Sequence, residues 1–164
     1  TEYPSWLYPV TKGATTIWER WDGIKPDGSF QNAGMNSFNH YAYGAIADWL
    51  FRTVAGINQL EPGFKKFIVR PEPGGALAFA KARYESVYGL IRSEWRLNDN
   101  NTILQVEVPA NTTAMVHLPG GEVSTVTEGG LALQEAEGIV IHGEENGALV
   151  VEVGSGNYSF RIAK

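Results

Sequence analysis

The spacing of hydrophobic residues changes once along this chain, from a helical repeat in residues 1–65 to strand-like alternation beyond them. In the first part, apolar residues at helical spacing predict a short helix over residues 4–12. Gly13 follows as a stop signal, and Pro9 weakens the helix because it lacks a backbone donor. After Gly13 the sequence predicts an irregular segment and then a loop rich in glycine, aspartate and proline.

A second, longer helix is the most regular element predicted in the first part. Hydrophobic side chains recur every three or four residues over residues 42–54. Asn36 or Ser37 is suited to be the N-cap of this helix, and Gly56 is suited to be the C′ residue that ends it. His40 is therefore expected in the first helical turn.

Beyond residue 65, short runs of alternating apolar and polar residues are separated by glycine, proline, asparagine and aspartate. The predicted strands cover residues 77–85, 89–97, 102–108, 113–119, 123–126, 139–142, 148–153 and 157–162. In the third of these strands, Ile103, Val106 and Val108 are expected to face inward, with the register ambiguous at Leu104. Short strands at this spacing are typical of an antiparallel β-sandwich.

The change of pattern predicts an α+β chain with a domain boundary near residue 65. Residues 1–65 form the helical part, and residues 66–164 are long enough for a β-sandwich with its own core. The helical part holds 12 of the 19 aromatic residues. Two or three helices cannot cover that much apolar surface. We therefore expect this part to pack on the sandwich or to dock on polypeptide outside this sequence.

Composition and charge exclude several classes of function. The 164-residue chain is 43% hydrophobic, with a net charge of −5 and a pI near 5.2. These values describe a folded protein without the basic face that nucleic acids require. There is no cysteine, so disulfides and thiolate sites are excluded. His117 and His142 lack a second ligand at metal-binding spacing, so no metal and no other cofactor is expected.

The chain shows neither a targeting signal nor a membrane-spanning pattern. It starts at Thr1 without the basic and apolar regions of a signal peptide. Its apolar stretches are too short to cross a bilayer, so no membrane partner is expected. We interpret the sequence as a piece of a longer chain, and its compartment, cytoplasmic, periplasmic or secreted, is left open.

The candidate chemistry lies in residues 13–23, where one carboxylate, Glu19, stands between two tryptophans. Trp18 and Trp21 offer flat apolar faces on which a sugar ring can stack. A carboxylate that is partly desolvated by such neighbours is suited to general acid or base catalysis. The opposing interpretation is a helix-packing patch in which Glu19 and Arg20 point to water, where charges have little effect.

Two runs of sequence resemble the C-terminal part of bacterial α-L-rhamnosidases, which are inverting glycoside hydrolases built on an (α/α)6 barrel. They are residues 13–23, which include Thr-Thr-Ile-Trp-Glu-Arg-Trp-Asp at 15–22, and residues 35–44, which include Ser-Phe-Asn-His-Tyr at 37–41. In this family the glutamate of the first run is the general base, and the histidine of the second run contacts the bound rhamnose. The resemblance therefore implies these two roles for Glu19 and His40. Trp18 and Trp21 are candidates for the wall of the sugar pocket.

The resemblance extends into the second part, where residues 107–114 and 154–160 are similar to the β domain that follows the barrel in the same family. It implies the last helices of an (α/α)6 barrel followed by an antiparallel β-sandwich. It also implies a fragment of an enzyme that removes terminal α-L-rhamnose from glycosides with inversion. The family's general acid lies upstream. The expected partners are thus a rhamnoside and the remainder of the barrel, and the isolated 164 residues are expected to be inactive.

Two interpretations from other classes stay open. The β-sandwich could be a carbohydrate-binding module with Trp95, Tyr88 or Tyr158 as its aromatic platform, although the mid-strand position of Trp95 favours a place in the core. Alternatively, the whole piece could be an accessory domain that only supports a barrel. Titration with sugars distinguishes the two, because binding at millimolar concentration or better favours a module and no binding favours a support.

Overall fold

Most helical turns lie in residues 1–54, a single 3₁₀ turn follows at Pro62–Phe64, and strands dominate the remainder. The computed structural model describes residues 1–164 and divides them into two units, Thr1–Asp48 and Trp49–Lys164. The first helix, α1, covers only Tyr8–Thr11. This is shorter than the predicted helix over residues 4–12. Pro9 lies in the first turn, the one place where a helix tolerates proline, so the helix starts next to it instead of running through it.

The second helical run begins later than predicted. It consists of a 3₁₀ turn at Tyr41–Ala45, the helix α2 at Ile46–Trp49 and a π-helical turn at Leu50–Val54. His40 is the N-cap residue and makes no side-chain cap bond. The expectation that Asn36 or Ser37 caps the helix, with His40 inside the first turn, is therefore wrong. Residues 37–40 make backbone hydrogen bonds to a distant segment, which a helical conformation would not allow.

Two β-sheets make up most of the second unit. Their strands are β1 Ile57–Gln59, β2 Lys66–Val69, β3 Phe79–Ser86, β4 Gly89–Leu97, β5 Asn101–Val108, β6 Thr113–Pro119, β7 Val126–Glu128, β8 Leu131–Ala132, β9 Ile139–Glu145, β10 Ala148–Val153 and β11 Gly156–Ala163. One sheet has the order β1-β2-β6-β10-β9, and the other has the order β3-β4-β5-β11-β7-β8. All neighbouring strands are antiparallel except β2 and β6, which pair in parallel.

The core of the second unit is formed by side chains from both sheets. Phe67 of β2, Trp95 of β4 and Phe160 of β11 are its largest fully buried members. Leu104 is also fully buried, whereas Ile103 is only partly buried. The expected inward orientation of Ile103 is therefore wrong. Leu104 is the inward residue because the strand register places it opposite Trp95 on one side and Phe160 on the other.

Hydrogen bonds from β4 hold the end of the helical run within the second unit. The indole Nε1 of Trp95 donates to the carbonyl oxygen of Val54 at 2.7 Å, and the Ser93 hydroxyl donates to that of Ala55 at 2.6 Å. Gly56 follows with a φ of +81°, as expected for a residue that ends a helix. The two compact units meet between Asp48 and Trp49, before the residues that these hydrogen bonds hold. The domain boundary near residue 65 stays a prediction.

Burial of His117 on β6 makes stability depend on pH. His117 is 8% exposed, and this burial, assisted by Arg70 and opposed by Glu145, lowers its pKa below the ordinary value. The unfolded chain therefore binds the proton more readily. We expect the free energy of unfolding to be constant above about pH 6.5 and to decrease as the pH falls toward the folded-state pKa. Urea unfolding at pH 7.5 and pH 5.5 measures this. An equal pH dependence in His117→Asn would contradict it.

Candidate functional site

Two segments of the first unit are joined by backbone hydrogen bonds. The N–H of Glu19 donates to the carbonyl oxygen of Ser37 at 2.9 Å, and the N–H of His40 donates to that of Ile17 at 2.8 Å. These bonds place Glu19 and His40 on adjoining segments although they are far apart in the sequence. The fold thus places the two residues that the motifs single out on paired segments.

Packing around Phe38 directs Trp18 into the unit. The two rings meet edge to face with centroids 5.0 Å apart, and Trp18 is 6% exposed. Gly23 lies against the ring of Phe38, and a Cβ added to Gly23 would stand only 3.0 Å from that ring. Glu19, next to Trp18, is half-buried. Trp18 is therefore a packing residue of this unit, and its predicted contact with a substrate stays a prediction.

Glu19 lines a groove of about 410 Å³. The lining residues are Pro4, Trp6, Glu19, Arg20, Trp21, Asp22 and Tyr43. Trp21 is 41% exposed, and its ring lies 5.2 Å from that of Trp6. The groove thus presents a carboxylate beside flat aromatic surfaces, an arrangement suited to a polyhydroxylated ring with one apolar face. The carbohydrate-binding role predicted for Trp21 is compatible with this place but stays a prediction.

Sequence reasoning did not identify two of the aromatic residues of this groove. Trp6 lies outside both motifs, and Tyr43 lies in the second motif without a role assigned to it; their rings contact each other edge to face at 6.0 Å. Tyr43 also lies 4.9 Å from the ring of His40. The only signal in the sequence was the concentration of aromatic residues in its first 65 positions.

The charged and polar neighbours of Glu19 and His40 are partly engaged with other groups. The guanidinium of Arg20 donates to the side-chain oxygen of Gln31 at 2.7 Å. The half-buried imidazole of His40 has its Nδ1 atom 3.4 Å from the hydroxyl of Ser37. The environment thus contains a partly desolvated carboxylate and an imidazole restrained on one nitrogen, groups that can move protons and bind hydroxyls.

The aromatic residues proposed for a platform on the sandwich do not share one exposed surface. Trp95 is 2% exposed and belongs to the core. The hydroxyl of the half-buried Tyr158 donates to Gly154 at 3.1 Å, and burial raises its pKa. Tyr88 is exposed, with the Lys65 ammonium 5.3 Å from the centre of its ring. Trp95 is thus removed from any surface platform.

The structure bears on metal binding and on membrane crossing. No cluster of three or more histidine, cysteine, aspartate or glutamate side chains has a geometry that could hold a metal ion. None of the helices is both long and apolar enough to cross a membrane.

Known proteins resemble both parts of the chain. Residues 1–54 match the family model of the bacterial alpha-L-rhamnosidase 6 hairpin glycosidase domain, and residues 56–132 match that of the bacterial alpha-L-rhamnosidase C-terminal domain. An alpha-L-rhamnosidase of Streptomyces avermitilis is 41% identical over 160 residues, which is 98% of this chain and 15% of that protein.

Solved structures of alpha-L-rhamnosidases also resemble this chain. The alpha-L-rhamnosidase of Streptomyces avermitilis complexed with L-rhamnose superposes with a TM-score of 0.80 at 40% identity, covering 98% of this chain and 15% of that one. An alpha-L-rhamnosidase from Dictyoglumus thermophilum gives 0.77 at 36% identity, covering 99% of this chain and 18% of that one. The chain therefore spans less than a fifth of the length of these relatives.

The comparisons decide the fold class as well as the family. The helical turns of the first unit lie within the residues that match the six-hairpin domain, and both sheets follow them. The predicted fold class, the last helices of an (α/α)6 barrel followed by an antiparallel β-sandwich, is confirmed, with β2 and β6 as its one parallel pair. The chain belongs to the bacterial α-L-rhamnosidase family and corresponds to its C-terminal portion.

Proposed function

We propose that this chain is part of an inverting α-L-rhamnosidase and supplies its general base, Glu19. The observation that carries the proposal is the backbone pairing that places Glu19 and His40 on adjoining segments, with Glu19 in a groove walled by Trp6 and Trp21. A lone half-buried carboxylate has many structural explanations. A carboxylate beside two indoles, on a segment paired with the one that carries an imidazole, is best explained in a rhamnosidase-family chain as a glycosidase site.

In the proposed reaction, Glu19 acts on water and not on the sugar. Its carboxylate accepts a proton from a water molecule, whose oxygen forms a bond to the anomeric carbon. The bond from that carbon to the aglycone oxygen breaks on the opposite face, and a general acid elsewhere in the protein protonates the leaving oxygen. Attack from the face opposite the leaving group inverts the anomeric centre. Such a pair of carboxyl groups stands about 6.5–9.5 Å apart, which leaves room for the water.

His40, Trp18 and Trp21 are proposed to bind the sugar. The imidazole of His40 can donate or accept one hydrogen bond through Nε2, since Nδ1 faces Ser37. Trp21 is the exposed indole of the groove and offers a stacking surface. Trp18 is buried, so its contribution would be limited to the small part of it that lines a neighbouring apolar groove.

We also propose that the remainder of a catalytic barrel covers the apolar surface of the first unit. Trp6, Val10 and Ile46 are each more than half exposed and line an apolar groove of about 680 Å³. Exposed apolar surface of this extent marks an interaction site. The relatives are far longer than this chain, so we propose that the covering polypeptide corresponds to the part of their length that this chain does not span. We further propose that the boundary between the barrel and the β-sandwich lies near residue 65.

The experiment that tests the proposed function compares the isolated chain with the intact protein that contains it. Both are assayed on an aryl α-L-rhamnoside, and proton NMR identifies the anomer of rhamnose that forms first. We expect the intact protein to release the β anomer first and the isolated 164 residues to release nothing. Release of the α anomer first would exclude inversion, and hydrolysis by the isolated chain would show that no external acid is needed.

Replacement of His40 by alanine should weaken binding of the transition state. A sugar hydroxyl that loses a buried hydrogen-bond partner costs about 1–3 kcal/mol, so kcat/KM of the intact protein should decrease about 5- to 150-fold. Steady-state kinetics measure this. His142→Ala is the matched control, because this histidine lies on the edge strand β9 of the sandwich. An equal decrease in both variants would contradict a specific role for His40.

A further inference from the structure

Ser37 is bonded to both of the proposed site residues. Its carbonyl oxygen accepts the backbone N–H of Glu19 at 2.9 Å, and its hydroxyl oxygen lies 3.4 Å from Nδ1 of His40. One residue is thus connected to the backbone of the carboxylate and to the ring of the imidazole. No motif of the sequence analysis assigned it a role, beyond the N-cap that the structure excludes.

The imidazole of His40 is restrained on its other sides by the same unit. Its backbone N–H is held by the carbonyl oxygen of Ile17, and its ring packs against that of Tyr43 with centroids 4.9 Å apart. These contacts fix where the ring lies, but a ring packed in this way can still turn over. The Ser37 hydroxyl distinguishes the two orientations, because it engages Nδ1 and leaves Nε2 as the nitrogen for a ligand.

Backbone pairing makes the position of Ser37 itself well determined. The hydroxyl of Thr16 donates to the carbonyl oxygen of Phe38, next to the bond between Glu19 and Ser37. Phe38 is held in turn by the ring of Trp18. The hydroxyl of Ser37 is therefore carried by a segment that is fixed on both sides, which is what a group that orients another side chain requires.

We propose that Ser37 is a positioning residue, whose hydroxyl sets the orientation of the His40 ring while its carbonyl oxygen keeps Glu19 in register with that ring. The consequence for activity rests on the proposed function, but the effect on the imidazole does not. A hydrogen bond to Nδ1 favours the ring orientation in which Nδ1 faces Ser37 and Nε2 is left for a ligand. Loss of the hydroxyl lets both orientations of the ring occur, and only one of them presents Nε2 to the substrate.

The first test follows the imidazole directly in the 164-residue chain labelled with ¹⁵N-histidine. We expect Ser37→Ala to change the separation between the Nδ1 and Nε2 resonances of His40, and Ser37→Thr, which keeps the hydroxyl, to preserve it. The resonances of His142 serve as the internal control. Unchanged His40 resonances in Ser37→Ala would overturn the proposal, whatever the activity of the enzyme.

The second test measures kinetics of the intact protein in a double-mutant cycle. Ser37→Ala should lower kcat/KM about 3- to 10-fold, the range that loss of one hydrogen bond gives, and Ser37→Thr should restore it. In the His40→Ala background the same change should have less than about a twofold effect, since the group it orients is gone. A full loss in that background would overturn action through His40. Altered resonances with unchanged kinetics would instead contradict the proposed function and leave the positioning role standing.

Discussion

Glu19→Gln in the intact protein is expected to lower kcat about 10²- to 10⁴-fold and to leave KM nearly unchanged. Glutamine keeps the shape of the side chain, so contacts in the groove between Trp6 and Trp21 are preserved. It cannot accept the proton of the attacking water, so the chemical step loses its base. Steady-state kinetics on an aryl α-L-rhamnoside measure both parameters.

A matched substitution separates the role of Glu19 from the general effect of removing a charge. Glu144→Gln makes the same change at an exposed position of β9 and should leave both kinetic parameters unaltered. The account would be contradicted if Glu19→Gln raised KM while kcat stayed the same. That result would make Glu19 a binding residue and not a base.

Gly56→Ala is expected to lower the free energy of unfolding of the second unit by about 4 kcal/mol or more. Few single substitutions destabilise a protein by that much. A Cβ at this position would lie 2.2 Å from the backbone carbon of Arg70 and from the nitrogen of Pro71. Its φ of +81° is also strained for any residue with a side chain. The segments that carry Gly56 and Arg70 cannot move apart easily, because the N–H of Arg70 donates to the carbonyl oxygen of Gly56 at 2.9 Å.

The control for Gly56 isolates the contact from the backbone conformation. Gly147 has a φ of +77° in the turn before β10, but an added Cβ there would meet nothing within 4 Å. Gly147→Ala should therefore cost only about 1–2 kcal/mol, the strain of the left-handed conformation alone. Urea unfolding of both variants measures the difference. Equal destabilisation would show that the approach to Arg70 and Pro71 contributes nothing.

The strands were predictable because their signal is local. Alternation along β4 and β5 indicates which residues face inward, β10 is recognisable as a short apolar run, and glycine or asparagine marks the turns. The parallel pairing of β2 with β6 was not predictable, since nothing in either strand specifies its neighbour. The strand β1 was missed because its three residues are too few to show a period and follow directly on a helical run.

The start of the second helix shows where local reasoning fails. Asn36 and Ser37 are good N-cap residues, yet the backbone at Ser37 is engaged by Glu19 from a segment far away in the sequence. Tertiary hydrogen bonds override the local preference. The helix consequently starts after His40, and the same bonds place His40 on a segment paired with that of Glu19.

The candidate site was predictable only as far as the two motifs extend. They singled out Glu19 and His40, but they could not tell which tryptophan is buried, and packing on Phe38 decides that it is Trp18. Trp6 and Tyr43 reach the groove through folding alone. Contacts between segments that are distant in sequence leave no periodic pattern, so a single sequence does not show them.

Chemical rescue gives the most direct test that the Glu19 carboxylate serves as the base for water attack. In the intact protein, Glu19→Ala removes that base and opens space in which azide, a nucleophile that needs no deprotonation, can reach the anomeric carbon. The account predicts that azide restores release of the aglycone and that the product is the β-configured rhamnosyl azide. If the variant is inactive and azide neither accelerates the reaction nor appears in the product, or if the azide has the α configuration, the assignment of Glu19 is wrong.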